Sequence, residues 1–511
     1  MDFLSPQQWE QAQWIGKLAV VNPFCEERTQ VERHLLGKRH QERYRVWNSV
    51  DGELSVNQNL SILDDLCDSL VRDGLSRWDA CGKDLDEQQL QSWDLLCLYW
   101  LFSRQRRPMC ANVYLGEQSE SATSNLYPAF LQDFSQCLLR PGRRVPTEYS
   151  PEGIFALFHQ LHRAFNYTFD FIAGGTLAAA NLRSSIWQSI FTHDLRRYYH
   201  HLRGSMNQVT TLITGESGTG KELVARAIAL SQHIPFDPKT RGFSTNHLRG
   251  FYAAQLSAMP QALVESALFG HVRGAFTGAI QDRQGCFEAC HPCGCIFLDE
   301  IGEVSQEIQV KLLRLLQTRE FQRIGDETLR RFPGKVIAAT NADLKENCQK
   351  GLFRQDLLFR ICSDTIQTAP LRTLIDSQEQ ELRQFVTVLS KRMLEEDTAA
   401  EEFATAASDW IVSHLGLDYG WPGNVRELEQ CLRNLLIRGE YHPFHSFPEE
   451  KKRLPWREWL KEHPLTAEEM MMQYLQALYE QEGTLAAVAR KAGLDPRTVK
   501  KYLHCPPGGM A

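Results

Sequence analysis

The order of apolar and polar positions divides the chain into three textures. From residue 1 to about 180, apolar side chains recur at helical spacing. Leu60, Leu63, Leu66 and Leu70 share one face of a helix over Asn59–Val71. Leu90, Trp93, Leu96, Cys97 and Trp100 define a second helix that Asp84 is placed to cap, and Ser150-Pro151-Glu152 reads as the start of a third, with Phe155, Phe158, Leu161 and Phe165 on one face. From about 181 to 438 the period changes. Short apolar runs at Thr211–Thr214, Ile296–Leu298 and Val336–Ala339 alternate with amphipathic helices, the pattern of a parallel α/β sheet. Pro443, Pro448, Pro455 and Pro464 break up a charged stretch from Gly439 onward, and residues 466–511 read as a small helical unit.

A length of 511 residues suggests about three domains at roughly 150 residues each. Lys plus Arg number 56 against 63 Asp plus Glu, for a formal charge of −7. That excludes an overall basic coat and leaves room for a local basic patch. No apolar run approaches the roughly 18 residues that span a bilayer. The start, Met1-Asp2-Phe3-Leu4-Ser5-Pro6, lacks the basic and apolar regions of a secretion signal. The 14 cysteines form no small-domain framework, so reduced thiols in a cytoplasmic protein without membrane association are expected.

The sharpest chemistry lies at Gly215-Glu216-Ser217-Gly218-Thr219-Gly220-Lys221, between apolar Leu212-Ile213 and helical Leu223–Ile228. A strand, a glycine-rich turn and a helix N-terminus together present backbone N–H groups to phosphate oxygens, and Lys221 reaches the outer phosphates. The generic pattern has Ser or Thr after the lysine; here the residue is Glu222. Ile296-Phe297-Leu298 ends in Asp299-Glu300, a carboxylate pair at a strand's C-terminal edge: Asp299 suits Mg²⁺ and Glu300 suits polarising a water. The third run ends in Thr340-Asn341, an amide able to orient that water, or simply a turn former.

A second set of motifs carries a family resemblance. Glu265-Ser266-Ala267-Leu268-Phe269-Gly270-His271 is followed by Gly274-Ala275-Phe276-Thr277-Gly278-Ala279. The latter resembles the signature loop of the bacterial sigma-54-dependent transcriptional activators, a branch of the AAA+ ATPases. Gly215–Glu222, Phe297–Glu303, Lys311–Leu316, Ala338–Leu344 and Trp421–Leu428 are similar to the same family in the same order, over about residues 183–438. In that family Glu222 is the usual residue after the lysine.

The resemblance implies an α/β fold: an AAA+ P-loop NTPase core with a helical lid, preceded by a mainly helical N-terminal domain and followed by a helix-turn-helix. The domains expected are an N-terminal regulatory domain over 1–180, the α/β ATPase subdomain over 181–370, the lid over 371–438, a linker over 439–465 and a DNA-binding domain over 466–511. It further implies a homo-oligomer, a hexamer when active, with ATP and Mg²⁺ bound between subunits. Gly215, Glu216, Ser217, Gly218, Thr219, Gly220, Lys221 and Glu222 would form the phosphate site, with Asp299 serving Mg²⁺. Glu300 would activate water, Asn341 would act as first sensor, and Arg426 as the sensor of the lid. Arg354 and Arg360 match the arginines offered to the neighbour's nucleotide. Gly274, Ala275, Phe276, Thr277, Gly278 and Ala279 would contact sigma-54 in the RNA polymerase holoenzyme, with the loop moving as the γ-phosphate comes and goes.

The sequence also departs from the family. Gln255-Leu256 stands where Asn-Cys is usual ahead of the Glu-Ser motif, and His233 to Gly250 is longer than the norm. The run Cys290-His291-Pro292-Cys293-Gly294-Cys295 replaces Gly-Gly-Thr before the acidic pair. With Cys286 it offers enough thiols for zinc or redox chemistry, but the spacing is poor, and small buried thiols are the expected outcome.

At the C-terminal end, Thr466-Ala467-Glu468-Glu469 is a capping box, Leu485–Ala492 a short helix, Gly493 a turn, and Asp495 the cap of a third helix with Pro496 at its first position. Arg490, Lys491, Arg497, Lys500 and Lys501 face a single acid, Asp495. This is the local excess expected of a double-stranded-DNA reader, and it resembles the Fis-like helix-turn-helix of the same family. Arg497 and Thr498 are the candidate base readers; Lys500 and Lys501 are placed for phosphate. In the N-terminal third, Asp64-Asp65 lies inside a helical pattern, which excludes a phosphorylated receiver domain, and His159 and His162 share a helix face without further ligands. The reading is a DNA-binding activator that spends ATP to remodel sigma-54 RNA polymerase. Its rivals are an AAA+ ATPase or a DNA-binding regulator that does not act on sigma-54.

Overall fold

The computed structural model describes residues 2–42, 57–81, 84–113, 119–256, 260–443 and 466–503. They fall into two units, Met1–Tyr441 and His442–Ala511. Among the described residues no helix is long and apolar enough to cross a membrane.

The larger unit is organised by five parallel strands: β1 (Thr211–Thr214), β2 (Phe251–Gln255), β3 (Cys295–Asp299), β4 (Lys335–Thr340) and β5 (Asp364–Gln367), in the order β5-β1-β4-β3-β2. The three apolar runs expected to be strands are β1 and the centres of β3 and β4. Every residue of β4 is buried, which is why the run shows no polar alternation. Because all five strands run the same way, the loop after Thr214, the carboxylates after Leu298 and Asn341 after Thr340 emerge at one edge. That edge is where doubly wound sheets place their ligands.

The long helices described ahead of β1 are α1 (Pro6–Val20), α2 (Glu26–Leu36), α3 (Gln58–Cys81), α4 (Glu87–Val113), α5 (Ser119–Leu138), α6 (Pro151–Phe171) and α7 (Leu177–Phe191). Asp64, on α3, pairs with Arg106 of α4 at 2.8 Å. The cap of α4 is Asp86, whose Oδ1 accepts from the Gln89 N–H at 2.7 Å, and not Asp84. Ser150 caps α6 as expected, its Oγ accepting from the Gly153 N–H at 3.2 Å, with Pro151 in the first turn.

α6 is buried around most of its circumference, more than a single apolar face requires. One side packs among the N-terminal helices. The other meets α8 (Lys221–Leu230), the helix after the phosphate loop. A helix C-terminus leaves carbonyls unpaired, and α6 supplies donors for the end of α8. Gln160 Nε2 donates to Ser231 O at 2.9 Å, and the Arg163 guanidinium donates to Leu230 O at 3.3 Å and Gln232 O at 3.0 Å. Burial pulls Arg163 down to about 10, which still leaves it charged at neutral pH. One apolar core therefore runs from Phe155 and Phe158 through Ile186 and Ile190 to Val224 and Ile228. The boundary expected at 180/181 falls inside α7.

Around the sheet lie α9 (Gln261–Phe269), α10 (Gln306–Thr318) and α11 (Gln355–Ile361). A helical subdomain follows: α12 (Glu379–Met393), α13 (Asp397–His414) and α14 (Asn424–Arg438), closed on Phe385, Leu389, Ile411, Leu428 and Leu432.

The second unit contains α15 (Ala467–Glu482), α16 (Leu485–Ala492) and α17 (Pro496–Leu503), packed on Leu475, Leu478, Val488 and Val499. Thr466 and Glu469 form the expected capping box, and Asp495 Oδ1 accepts from the Arg497 N–H at 2.8 Å. Arg490, Lys491, Arg497, Lys500 and Lys501 are exposed and Thr498 is half-buried. Residues 444–465 of the expected linker and 504–511 of the expected DNA-binding domain lie outside the described residues.

Candidate functional site

The glycine-rich loop between β1 and α8 takes backbone conformations that side chains resist. Gly215, Gly218 and Gly220 have φ of 149°, 78° and 86°. A Cβ on Gly218 would run into Gly423 O, and one on Gly215 into the Thr368 hydroxyl, so the glycines are also set by close approach. Lys221, the first residue of α8, turns its Nζ back onto Gly215 O at 3.0 Å and Glu216 O at 3.2 Å. Burial lowers its pKa, with Glu300 and Asp299 opposing the shift. Ser217–Glu222, Asp299, Glu300, Gln255 and Arg426 line one cleft of about 480 Å³.

Asp299 closes β3, paired in register with Gln255 on β2. Its pKa is raised, first by burial and then by the neighbouring Glu300. Glu300 sits in the left-handed region at φ 52°, ψ 50°, which turns its side chain away from the strand direction. Its N–H donates to Asp299 Oδ1 at 3.1 Å, and its Oε2 accepts from the Asn341 N–H at 3.2 Å. Two carboxylates, an ammonium and the open N-terminus of α8 thus face one space. This donor set fits a polyphosphate with a divalent cation.

The helical subdomain is fastened to the phosphate loop by residues inside the quoted motifs to which motif reading gave no such role. Asn424 is fully buried at φ 54°. Its Nδ2 donates to Glu216 Oε2 at 3.1 Å and Ser217 O at 3.0 Å, while its Oδ1 accepts from the Leu371 N–H at 2.9 Å. The Val425 N–H reaches Gly218 O at 3.1 Å. Glu216, expected among the phosphate ligands, pairs instead with Arg372 at 2.5 Å, which holds its carboxyl below the usual range. Arg426 does enter the cleft, its guanidinium 3.2 Å from Ser217 Oγ. Asn424→Ala is expected to destabilise the chain by about 1–3 kcal/mol, through partners left unpaired, and to weaken nucleotide binding. Calorimetric unfolding with and without ATP measures both effects.

Part of the cleft's lining comes from ahead of the expected ATPase boundary. Phe171, Ile172, Ala173 and Leu182 line the cleft together with Leu374, Phe385 and Leu389, a surface suited to a flat apolar ring. Buried Arg183 holds this segment by donating to Ile172 O at 2.7 Å and Gly174 O at 2.5 Å. The legible signal was Ile172-Ala173-Gly174-Gly175, an apolar pair and two glycines ahead of the Thr176 cap.

Arg354 and Arg360 do not join this cleft. Both are exposed. Arg354 is paired with Asp356 at 2.6 Å, and Arg360 donates from Nε and Nη2 to Leu316 O at 3.1 and 2.8 Å. Gly274–Ala279 forms a compact loop closed by Gly274 N–H to Ala279 O at 2.9 Å and Ala279 N–H to Phe276 O at 3.0 Å. Gly274 and Gly278 have φ of 82° and 100°. Phe276 is half-buried, its ring edge on His271 with centroids 4.9 Å apart, while Thr277 and Ile280 are exposed.

In the cysteine run, Cys290 and Cys295 are buried and Cys286 and Cys293 half-buried. Burial pushes the Cys290 thiol up to about 12 and raises Cys295 as well, leaving poor nucleophiles. Among the described residues no group of three or more His, Cys, Asp or Glu is arranged to hold a metal ion.

Known proteins resemble part of the chain. The Nif-specific regulatory protein of Azotobacter vinelandii is 38% identical over 250 residues, 49% of this chain and 44% of its own. That of Herbaspirillum seropedicae is 40% identical over 233 residues, 45% and 39% of the two chains. The DNA-binding transcriptional regulator NtrC of Rhizobium meliloti (strain 1021) is 39% identical over 227 residues, 44% and 42% of the two. The chain thus spans about half the length or less of these curated relatives. A solved structure of NtrX from Brucella abortus in complex with ATP aligns over 73% of this chain and 79% of its own at 20% identity and a TM-score of 0.38, too loose to add to the fold described above. The sheet, the phosphate loop and the Gly274–Ala279 loop all fall within residues 191–367, and those residues match the family of the Sigma-54 interaction domain.

Proposed function

We propose that this protein is an ATP-hydrolysing, sigma-54-dependent transcriptional regulator. The observation that carries the reading is the coexistence, within the matched segment, of a phosphate loop facing a carboxylate pair and a glycine-flanked loop with Thr277 exposed. Lys221 and the N–H groups of Gly218–Lys221 hold the polyphosphate, and Arg426 meets it from the lid. Asp299 and the outer phosphates would hold Mg²⁺, which supplies charge neutralisation on the leaving group. Glu300, oriented by the Asn341 N–H, accepts a proton from the attacking water. Phe171, Ile172 and Leu374 receive the base.

The family resemblance assigns Arg354 and Arg360 to the nucleotide of a neighbouring copy in a ring-like homo-oligomer, a hexamer in the active state, and their place outside their own cleft agrees with that assignment. The loop 274–279 engages sigma-54 when the nucleotide state changes. The second unit reads double-stranded DNA, with Arg497 and Thr498 on bases and Arg490, Lys491, Lys500 and Lys501 on phosphates. Transcription from a sigma-54 promoter tests the reading: Thr277→Ala and Lys221→Ala are both expected to fail, with ATP turnover surviving only in Thr277→Ala. Normal output from Lys221→Ala would contradict it.

A further inference from the structure

Ile280 follows the last residue of the 274–279 loop and is 83% exposed, more than any other large apolar side chain among the described residues. Phe276, inside the loop, is half-buried against His271. Leu329, on the adjoining loop, is 54% exposed. A lone apolar side chain in water is ordinary. What sets these two apart is how firmly they are held.

Below Ile280 the stem is closed. Gly270-His271 pairs antiparallel with Arg283-Gln284, and the Arg273 N–H donates to Asp282 Oδ1 at 2.8 Å. The Ile280 N–H donates to Gly278 O at 2.9 Å. Leu329 directly precedes the pairing of Arg330-Arg331 with Glu320-Phe321. Its loop is braced by Asp326, which accepts from the Thr328 N–H at 3.0 Å and from the Arg330 guanidinium at 2.7 Å. The two loops are also joined to each other. The Val272 N–H donates to Ile324 O at 3.1 Å, and the Ile324 N–H to Gly270 O at 2.9 Å. Gly325 comes so near that a Cβ on it would lie 2.9 Å from the Ala275 Cβ. Side chains displayed on a braced backbone lose little freedom when a partner covers them.

The chemistry on offer is uncharged. Residues 274–281, Gly-Ala-Phe-Thr-Gly-Ala-Ile-Gln, carry no ionisable side chain, and the nearest charges in sequence are Arg273 and Asp282. A partner meeting this tip gains from removing apolar surface from water and not from ion pairing. We propose that Ile280, with Leu329 beside it on the second loop, extends the sigma-54 contact beyond residues 274–279 by seating in an uncharged, apolar groove of that protein. This rests on the sigma-54 reading above: Ile280 continues the loop assigned to that contact, and both residues lie in the matched segment 191–367.

The test measures binding of the full chain to labelled, purified sigma-54 in ADP with aluminium fluoride. Ile280→Ser should weaken the complex about ten- to a hundredfold, Ile280→Val about fourfold, and Ile280→Leu by less than about twofold. Leu329→Ser should cost about three- to tenfold. Both serine variants should unfold at the parent's temperature and keep its oligomeric state. A loss graded by apolar size is the signature of a buried contact, which a merely structural role would not give. Parent-like affinity in Ile280→Ser overturns the proposal, as does an equal loss in the leucine and serine variants. A changed oligomeric state in Ile280→Ser also overturns it, by assigning the patch to a contact between copies. If the parent chain itself forms no complex, the sigma-54 reading falls and this inference with it; a parent complex that ignores Ile280→Ser sinks this inference alone.

Discussion

Glu300→Gln is expected to bind ATP as the parent chain does and to hydrolyse it about 10²–10⁴-fold more slowly. The substitution keeps size and hydrogen-bonding reach, so the contact with the Asn341 N–H at 3.2 Å survives in kind. What it removes is the basic oxygen that takes the proton from water. The left-handed backbone at Glu300 makes the position demanding: the side chain is aimed by a conformation that costs strain, which points to a positional role and not to a surface charge. Binding is measured with a fluorescent ATP analogue and turnover by phosphate release. Near-normal turnover would remove Glu300 from the chemistry.

Arg360→Ala is expected to lower hydrolysis about 10³–10⁵-fold, the range for a lost arginine finger. The guanidinium lies outside its own cleft and its two bonds go to the neutral Leu316 carbonyl. Arg354, by contrast, is engaged by the Asp356 carboxylate. An arginine that acts across an interface gives a signature no local defect can mimic. Mixing Arg360→Ala with Glu300→Gln, each nearly inactive alone, should restore turnover at those interfaces where an intact Glu300 meets an intact Arg360. A mixture no more active than its components would place Arg360 outside the neighbour's site.

Short-range features were legible in the sequence. The strand cores, the phosphate loop and the caps at Ser150, Thr466 and Asp495 are written in adjacent residues, and local chemistry decides them. Features set across long separations were not. Asn424 lies inside the family-like segment Trp421–Leu428, but nothing adjacent to it announces its bonds to Glu216 and Ser217 more than two hundred positions away. Gln160 and Arg163 were given no role from the sequence; their partners are carbonyls at the end of another helix, which no periodicity reveals. Asp84 and Asp86 both have cap chemistry, and the reciprocal bonds between Asp86 and Gln89 put the helix start after the second. The apolar wall at Phe171–Ala173 was missed because it precedes the motif-rich region and carries no catalytic residue type.

The central claim is that the nucleotide state governs the grip of loop 274–279 on sigma-54. Its most direct measurement is complex formation between the full chain and purified sigma-54, followed by size-exclusion chromatography in ADP alone and in ADP with aluminium fluoride. A stable complex is predicted only with aluminium fluoride, and its loss in Thr277→Ala. No complex in either state, or an equal complex after deletion of residues 274–279, would contradict the account.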